Sequence, residues 1–147
     1  MCRLFVGLGS HHGDDQVGWK VAEAVAHAGL MPARQAAIPV DLLHWLEGVE
    51  ELYLCDACSS QQPSGTVHRL TWQNGFPQVM ALRSSNTHQM QLSEVLQLAT
   101  SLNLLPARVI LFAVEGKDFC AGQALSPRAE QARSVILQQL LQELHHA

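Results

Sequence analysis

The sequence predicts an α/β fold: a three-layer αβα sandwich with a mostly parallel central sheet and one antiparallel strand. Three observations predict it. Apolar runs without polar alternation, clearest at residues 109–114, mark strands covered on both faces. These runs alternate with segments of helical apolar spacing, the order that builds a parallel sheet with helices on both sides. One stretch, 66–72, alternates apolar and polar side chains and is assigned as the antiparallel member.

Residues 3–8 form a buried first strand that runs into a tight glycine loop at Gly7-Leu8-Gly9. The loop Ser10-His11-His12-Gly13 feeds a helix bearing Val17, Val21, Ala24, Val25 and Ala28, closed by Gly29 as its C′ residue. Asp14 and Asp15 lie where a helix N-terminus favours carboxylates. Residues 34–40 read as a weak second strand interrupted by Pro39, after which Asp41 caps a short helix ended by Gly48. Residues 51–56 form the next strand, apolar until Asp56 at its carboxyl end. A turn-rich loop, 59–65, precedes the alternating strand. The polar loop 84–88 leads into a Leu-rich helix with Leu92, Val95, Leu96 and Ala99. The strand 109–114 is followed by the loop 115–119 and then by a helix in which Ser126 is the N-cap and Pro127 the first helical residue.

Size and composition narrow the function. A chain of 147 residues, 48% apolar, fits one domain spanning 1–147. The net charge of -4 and nine scattered Lys and Arg residues leave no basic footprint for nucleic acid or anionic lipid. No stretch approaches the ~20 apolar residues of a membrane span. Four cysteines, Cys2, Cys55, Cys58 and Cys120, do not form a disulfide framework, and a reducing cytoplasm is the expected home. Cys55-Asp56-Ala57-Cys58 has the spacing of a redox pair or half a zinc site, but no second C-x-x-C or paired His follows, so it reads as two small, partly buried thiols.

Ligands of such sheets bind outside the carboxyl ends of the strands, and Asp15, Asp56 and His88 fall on those rims or nearby loops. Asp56 is the sharpest signal, because a charge ending an apolar strand must be solvated, paired or metal-bound. Two carboxylates and an imidazole suit a divalent transition metal such as nickel or zinc. Gly7-Leu8-Gly9 is no dinucleotide fingerprint, since the third glycine is missing and two carboxylates would repel a pyrophosphate. His11, His12, His27, His44, His68, His145 and His146 are read as solvated or half-exposed. Ser59 and Ser60 lack the G-x-S-x-G elbow of a nucleophile.

Gly7-Leu8-Gly9-Ser10 with Gly13-Asp14-Asp15-Gln16-Val17-Gly18, then Asp56-Ala57, Pro63-Ser64-Gly65-Thr66, Thr87-His88, Glu115-Gly116 and Leu125-Ser126-Pro127, resembles the hydrogenase maturation protease family over nearly the whole chain. The resemblance implies an aspartyl-type endopeptidase that removes a C-terminal extension from the nickel-loaded large-subunit precursor of a nickel-iron hydrogenase. It also implies Asp15, Asp56 and His88 as the metal-contacting site, with Asp15 and Asp56 as the catalytic carboxylates. The nickel belongs to the substrate, no organic cofactor is required, and the enzyme is expected as a monomer. The chain departs from the family at Ser10, where many members have Asn, at the shortened His11-His12-Gly13 loop, and at Ala36-Ala37-Ile38-Pro39, where several have Asp-Gly-Gly-Thr. The alternatives are a nickel- or partner-binding accessory of hydrogenase assembly that does not cut, and an unrelated hydrolase with its own zinc.

Overall fold

A computed structural model describes residues 2–72 and 91–146. Five strands, β1 (Arg3–Leu8), β2 (Ala33–Ala36), β3 (Glu51–Cys58), β4 (Val67–Thr71) and β5 (Arg108–Glu115), form one sheet in the order β2-β1-β3-β5-β4. All neighbours pair parallel except β4 with β5, which are antiparallel. The alternating segment is therefore the antiparallel edge strand, as its pattern predicts. The central strands β1, β3 and β5 are almost wholly buried, which is why their sequences are continuously apolar.

Helices α1 (Val17–His27) and α3 (Pro127–His146) cover one face, packing Val17, Val21, Val25, Ala132, Ile136 and Leu140 onto Phe5, Tyr53, Ile110 and Phe112. Helix α2 (Leu92–Ser101) and a 3-10 helix, Pro39–His44, cover the other, packing Leu42, Leu92, Val95 and Leu96 onto Leu4, Val6, Leu52, Leu54 and Leu111. Burying a side chain of this kind contributes ~1.5–3 kcal/mol, so the two apolar layers hold the sheet's rim in place.

Helix boundaries follow local chemistry. Gly29 sits at φ +67°, its N–H donates to the Ala26 carbonyl and that of Leu30 to the Val25 carbonyl, which closes α1 with paired C-terminal bonds. Ser126 caps α3 through its Oγ, which accepts from the Ala129 N–H at 3.4 Å. Two expectations shift. The second strand spans only Ala33–Ala36, because Pro39, which has no N–H to give a ladder, opens the 3-10 helix instead. Asp41 is not its cap: the cap position is Ile38, and Asp41 lies in the first turn without a side-chain cap bond.

The close packing of α1 depends on glycine. A Cβ on Gly18 would lie 2.1 Å from the Leu8 carbonyl oxygen and 2.6 Å from that of Cys55, so only a bare backbone lets the helix start this near β1 and β3.

Candidate active site

The first loop delivers two adjacent carboxylates to different tasks. It crosses the rim of β1 and folds into a 3-10 turn, Gly13–Gln16, that packs against β3. Asp14 is fully buried and turned towards the loop between β5 and α3. It accepts from the backbone N–H of Lys117 (2.6 Å) and of Ser126 (2.7 Å) and from the Ser126 hydroxyl (2.9 Å). Its own N–H donates to the Asp118 carbonyl at 2.6 Å. Asp14 lies in the first turn of the 3-10 helix, as expected, and is also a tether between segments a hundred residues apart.

Asp15 points elsewhere. Its Oδ2 accepts from the Ser10 hydroxyl at 2.6 Å, while Oδ1 is buried with no hydrogen-bond partner among the described residues. Ser10, where the family pattern has Asn, therefore orients the carboxylate it precedes. The loop's His11 stacks edge-on against Trp19, with ring centroids 4.8 Å apart, and His12 is exposed.

Asp56 is fully buried near the carboxyl end of β3, with Oδ1 accepting from the Ala57 N–H at 2.8 Å. Strand alternation puts its side chain on the face of Leu52, Leu54 and Cys58, the layer that α2 covers. Its partner in register on β5 is Ala113, whose small side chain leaves room beside the carboxylate. Asp15 and Asp56 lie at the same end of the sheet, since Gly7, at the end of β1, pairs with Cys55. His88 lies outside the described residues.

Sequence reasoning missed a second polar group on the same rim. Glu115, assigned to a loop, is the last residue of β5 and is buried. Its Oε2 accepts from the Cys58 thiol at 2.9 Å, from His68 Nε2 at 3.0 Å and from the Ser60 hydroxyl, and its Oε1 from the Ser60 N–H at 2.9 Å. Burial alone would raise the Glu115 pKa; the hydrogen bonds from Cys58, Ser60 and His68 prevail and bring it down to about 2. Burial, then the bond to Glu115 and the negative charges of Glu115 and Asp56, push the Cys58 thiol up. His68 is accordingly a partner of a buried carboxylate, not a freely solvated surface residue. Strand register brings the group together: His68 pairs with Ala113 and Cys58 with Glu115, all on one face.

Parity also disposes of the C-x-x-C pair. Residues three apart on a strand point to opposite faces, and Cys55 packs with the α1 and α3 layer while Cys58 packs with the α2 layer. Both thiols are fully buried and free, so they are no redox couple.

Against known proteins, the family model described as hydrogenase maturation protease matches residues 36–143. No curated protein matches the chain. Among solved structures, the hydrogenase maturating endopeptidase HybD from E. coli superposes with a TM-score of 0.80 at 21% identity, over 99% of this chain and 93% of that one. The hydrogenase 2 maturation peptidase of a Thaumarchaeota archaeon gives 0.72 at 21% identity, over 98% of each chain. The [NiFe] hydrogenase maturation protease HybD from Thermococcus kodakarensis gives 0.71 at 18% identity, over 95% of this chain and 99% of that one. At such identities these likenesses establish the fold.

Proposed function

This chain belongs to the hydrogenase maturation protease family and is a peptidase, and from that premise we propose that it removes a C-terminal extension from the nickel-loaded large-subunit precursor of a nickel-iron hydrogenase. Asp15, Asp56 and His88 would meet the nickel carried by the precursor, with Asp15 and Asp56 as the catalytic carboxylates. The observation that carries the reading is Asp15 Oδ1, a buried carboxylate oxygen without a hydrogen-bond partner among the described residues, at the rim where Asp56 lies near the end of an apolar strand. Leaving such an atom unsatisfied costs ~1–3 kcal/mol or more, a cost proteins retain where a ligand is received.

Carboxylate oxygens with an imidazole form a donor set suited to a divalent transition metal. In this reading the metal arrives with the substrate, so the site discriminates nickel-loaded from empty precursor before cutting. Bound metal lowers the barrier to attack on the scissile carbonyl by polarising the carbonyl or a water, and one of the two carboxylates accepts the water's proton. The Ser10 hydroxyl keeps Asp15 oriented for this task. The reaction requires no organic cofactor, and we place it in the cytoplasm, carried out by a monomer. Among the described residues no helix is long and apolar enough to cross a membrane.

The test is precursor incubated with the wild-type protein and with Asp56→Asn, with and without nickel loading, read as a gel shift of the large subunit. Loss of a general base predicts a fall of ~10²–10⁴-fold in cleavage rate, and nickel-free precursor should remain uncut. Undiminished cleavage by Asp56→Asn would refute the assignment.

A further inference from the structure

The buried cluster Cys58, His68 and Glu115 has no role in the reaction above, yet its composition is that of a metal site. Among the described residues it is a group of thiol, imidazole and carboxylate whose ligand atoms all lie within 4.8 Å of one another. Each donor stands on a different strand, β3, β4 or β5, in fixed register: Cys58 is directly opposite Glu115, and His68 is opposite Ala113, two residues before Glu115. Three ligands held by three neighbouring strands are positioned without loop ordering, which lowers the entropic cost of binding.

We propose that Cys58 Sγ, His68 Nε2 and Glu115 bind a divalent ion of the zinc class in the chain itself, at a site distinct from the one that receives the substrate's nickel. Three features support it. First, the donor set of one thiolate, one imidazole and one carboxylate suits zinc and its neighbours, and three protein ligands leave a fourth, open position. Second, the spacing is nearly right. Tetrahedral zinc at its usual bond lengths separates ligand atoms by roughly 3.3–3.6 Å, whereas Cys58 and His68 now stand 2.9 and 3.0 Å from Glu115. A spread of about half an ångström at Glu115, with Cys58 Sγ and His68 Nε2 within 4.8 Å of each other, brings the three towards tetrahedral spacing by side-chain torsions. Third, Glu115 Oε2 accepts three hydrogen bonds while Oε1 accepts one. Two of those donors are the Cys58 thiol and His68 Nε2, so the ligand atoms already converge on one carboxylate oxygen, and their protons stand where the ion would replace them.

The exchange balances. The ion displaces the thiol proton to solvent, Cys58 Sγ becomes a thiolate bound to the metal, and the neutral His68 ring changes tautomer, losing the Nε2 proton to solvent and taking one at Nδ1, so that Nε2 binds the metal with no net proton change. With imidazole neutral, the metal-free cluster carries one buried negative charge; with a divalent ion, a thiolate and a carboxylate it carries none. Cancelling the net charge of the buried cluster favours the loaded state. The His68 side chain, 22% exposed, supplies the route from solvent. Asp56, two residues before Cys58 on the same face and ~7 Å away along the strand, adds attraction for the incoming cation.

The proposal does not depend on proteolysis and is tested without precursor. The full chain, stripped of metal and kept reduced, is titrated with Co²⁺ as a spectroscopic substitute for zinc. One equivalent should raise a thiolate-to-cobalt charge-transfer band that zinc then abolishes by displacement. Cys58→Ser should remove the band, and His68→Ala should weaken binding at least ~10-fold. A Cys2→Ser/Cys120→Ser variant, lacking both exposed thiols, should retain the band, as should Asp15→Asn, whose loss of precursor cleavage reports on the other site. On wild-type protein alone, one equivalent of zinc should release about one proton, the thiol's. This readout is independent of whether any variant folds. Absence of the band at one equivalent, its persistence in Cys58→Ser, or zinc uptake without proton release would each overturn the proposal.

Discussion

Replacing Asp14 by Asn tests whether the tether between the first loop and the β5–α3 loop holds the rim together. The substitution keeps shape and volume but exchanges one carboxylate oxygen for an NH₂ group. If the amide oxygen takes the place of Oδ2, it keeps the Lys117 N–H and the Ser126 hydroxyl, and the NH₂ faces the Ser126 N–H. The flipped amide keeps the Ser126 N–H and sets the NH₂ against Lys117 instead. Either way at least one hydrogen bond to a charged acceptor is lost, ~1.5–3 kcal/mol, and one buried donor is left unsatisfied, ~1–3 kcal/mol. The expected destabilisation is therefore ~3–5 kcal/mol, a large share of the ~5–15 kcal/mol typical of a folded domain. At ~2–4 °C per kcal/mol for a chain near this length, the melting temperature should fall by ~6–20 °C. Urea unfolding followed by circular dichroism measures it, with an unchanged m-value showing that both proteins unfold between the same two states. A Asp14→Asn protein within ~0.5 kcal/mol of wild type would show that the tether adds no net stability and that the loop is held by packing alone.

Two further outcomes are expected. Because Glu115 has its pKa held at about 2 against an ordinary 4.5, its stabilising bonds are fully present above pH 4.5 and are lost as the pH falls towards 2; acid unfolding of metal-free protein should be shallower over that window in Glu115→Gln, and identical slopes would contradict the network. Gly18→Ala should destabilise by at least ~2 kcal/mol in urea unfolding even though alanine favours helix by ~1 kcal/mol, because its Cβ would approach the Leu8 oxygen to 2.1 Å; a neutral or stabilising result would mean that α1 does not approach the sheet so closely.

Periodicity made the scaffold readable. Continuous apolar runs located β3 and β5, helical spacing located α1 and α3, and alternation at residues 66–72 identified the antiparallel edge. Asp56 stood out because it interrupts an apolar strand, and the structure places it buried at the rim that receives the first loop. The different tasks of Asp14 and Asp15 were not readable, since neighbouring residues in a tight turn diverge according to tertiary partners a hundred positions away. Nor was Glu115 readable: a carboxylate after an apolar run signals either a loop or a buried end, and the donors Cys58, Ser60 and His68 decide which. Strand parity applied to Cys55 and Cys58 separates the two thiols, but it requires knowing that the strand extends as far as Cys58.

The polar groups at the rim are assembled from distant parts of the chain: Asp14 reaches Ser126 across 112 positions, and Cys58 reaches Glu115 across 57. Each contact closes a long loop: the first needs the segment that leads into α3, and the second needs β5 docked beside β3. A chain cut short before residue 115 therefore lacks both contacts, and the rim depends on the whole length of the chain rather than on any local segment.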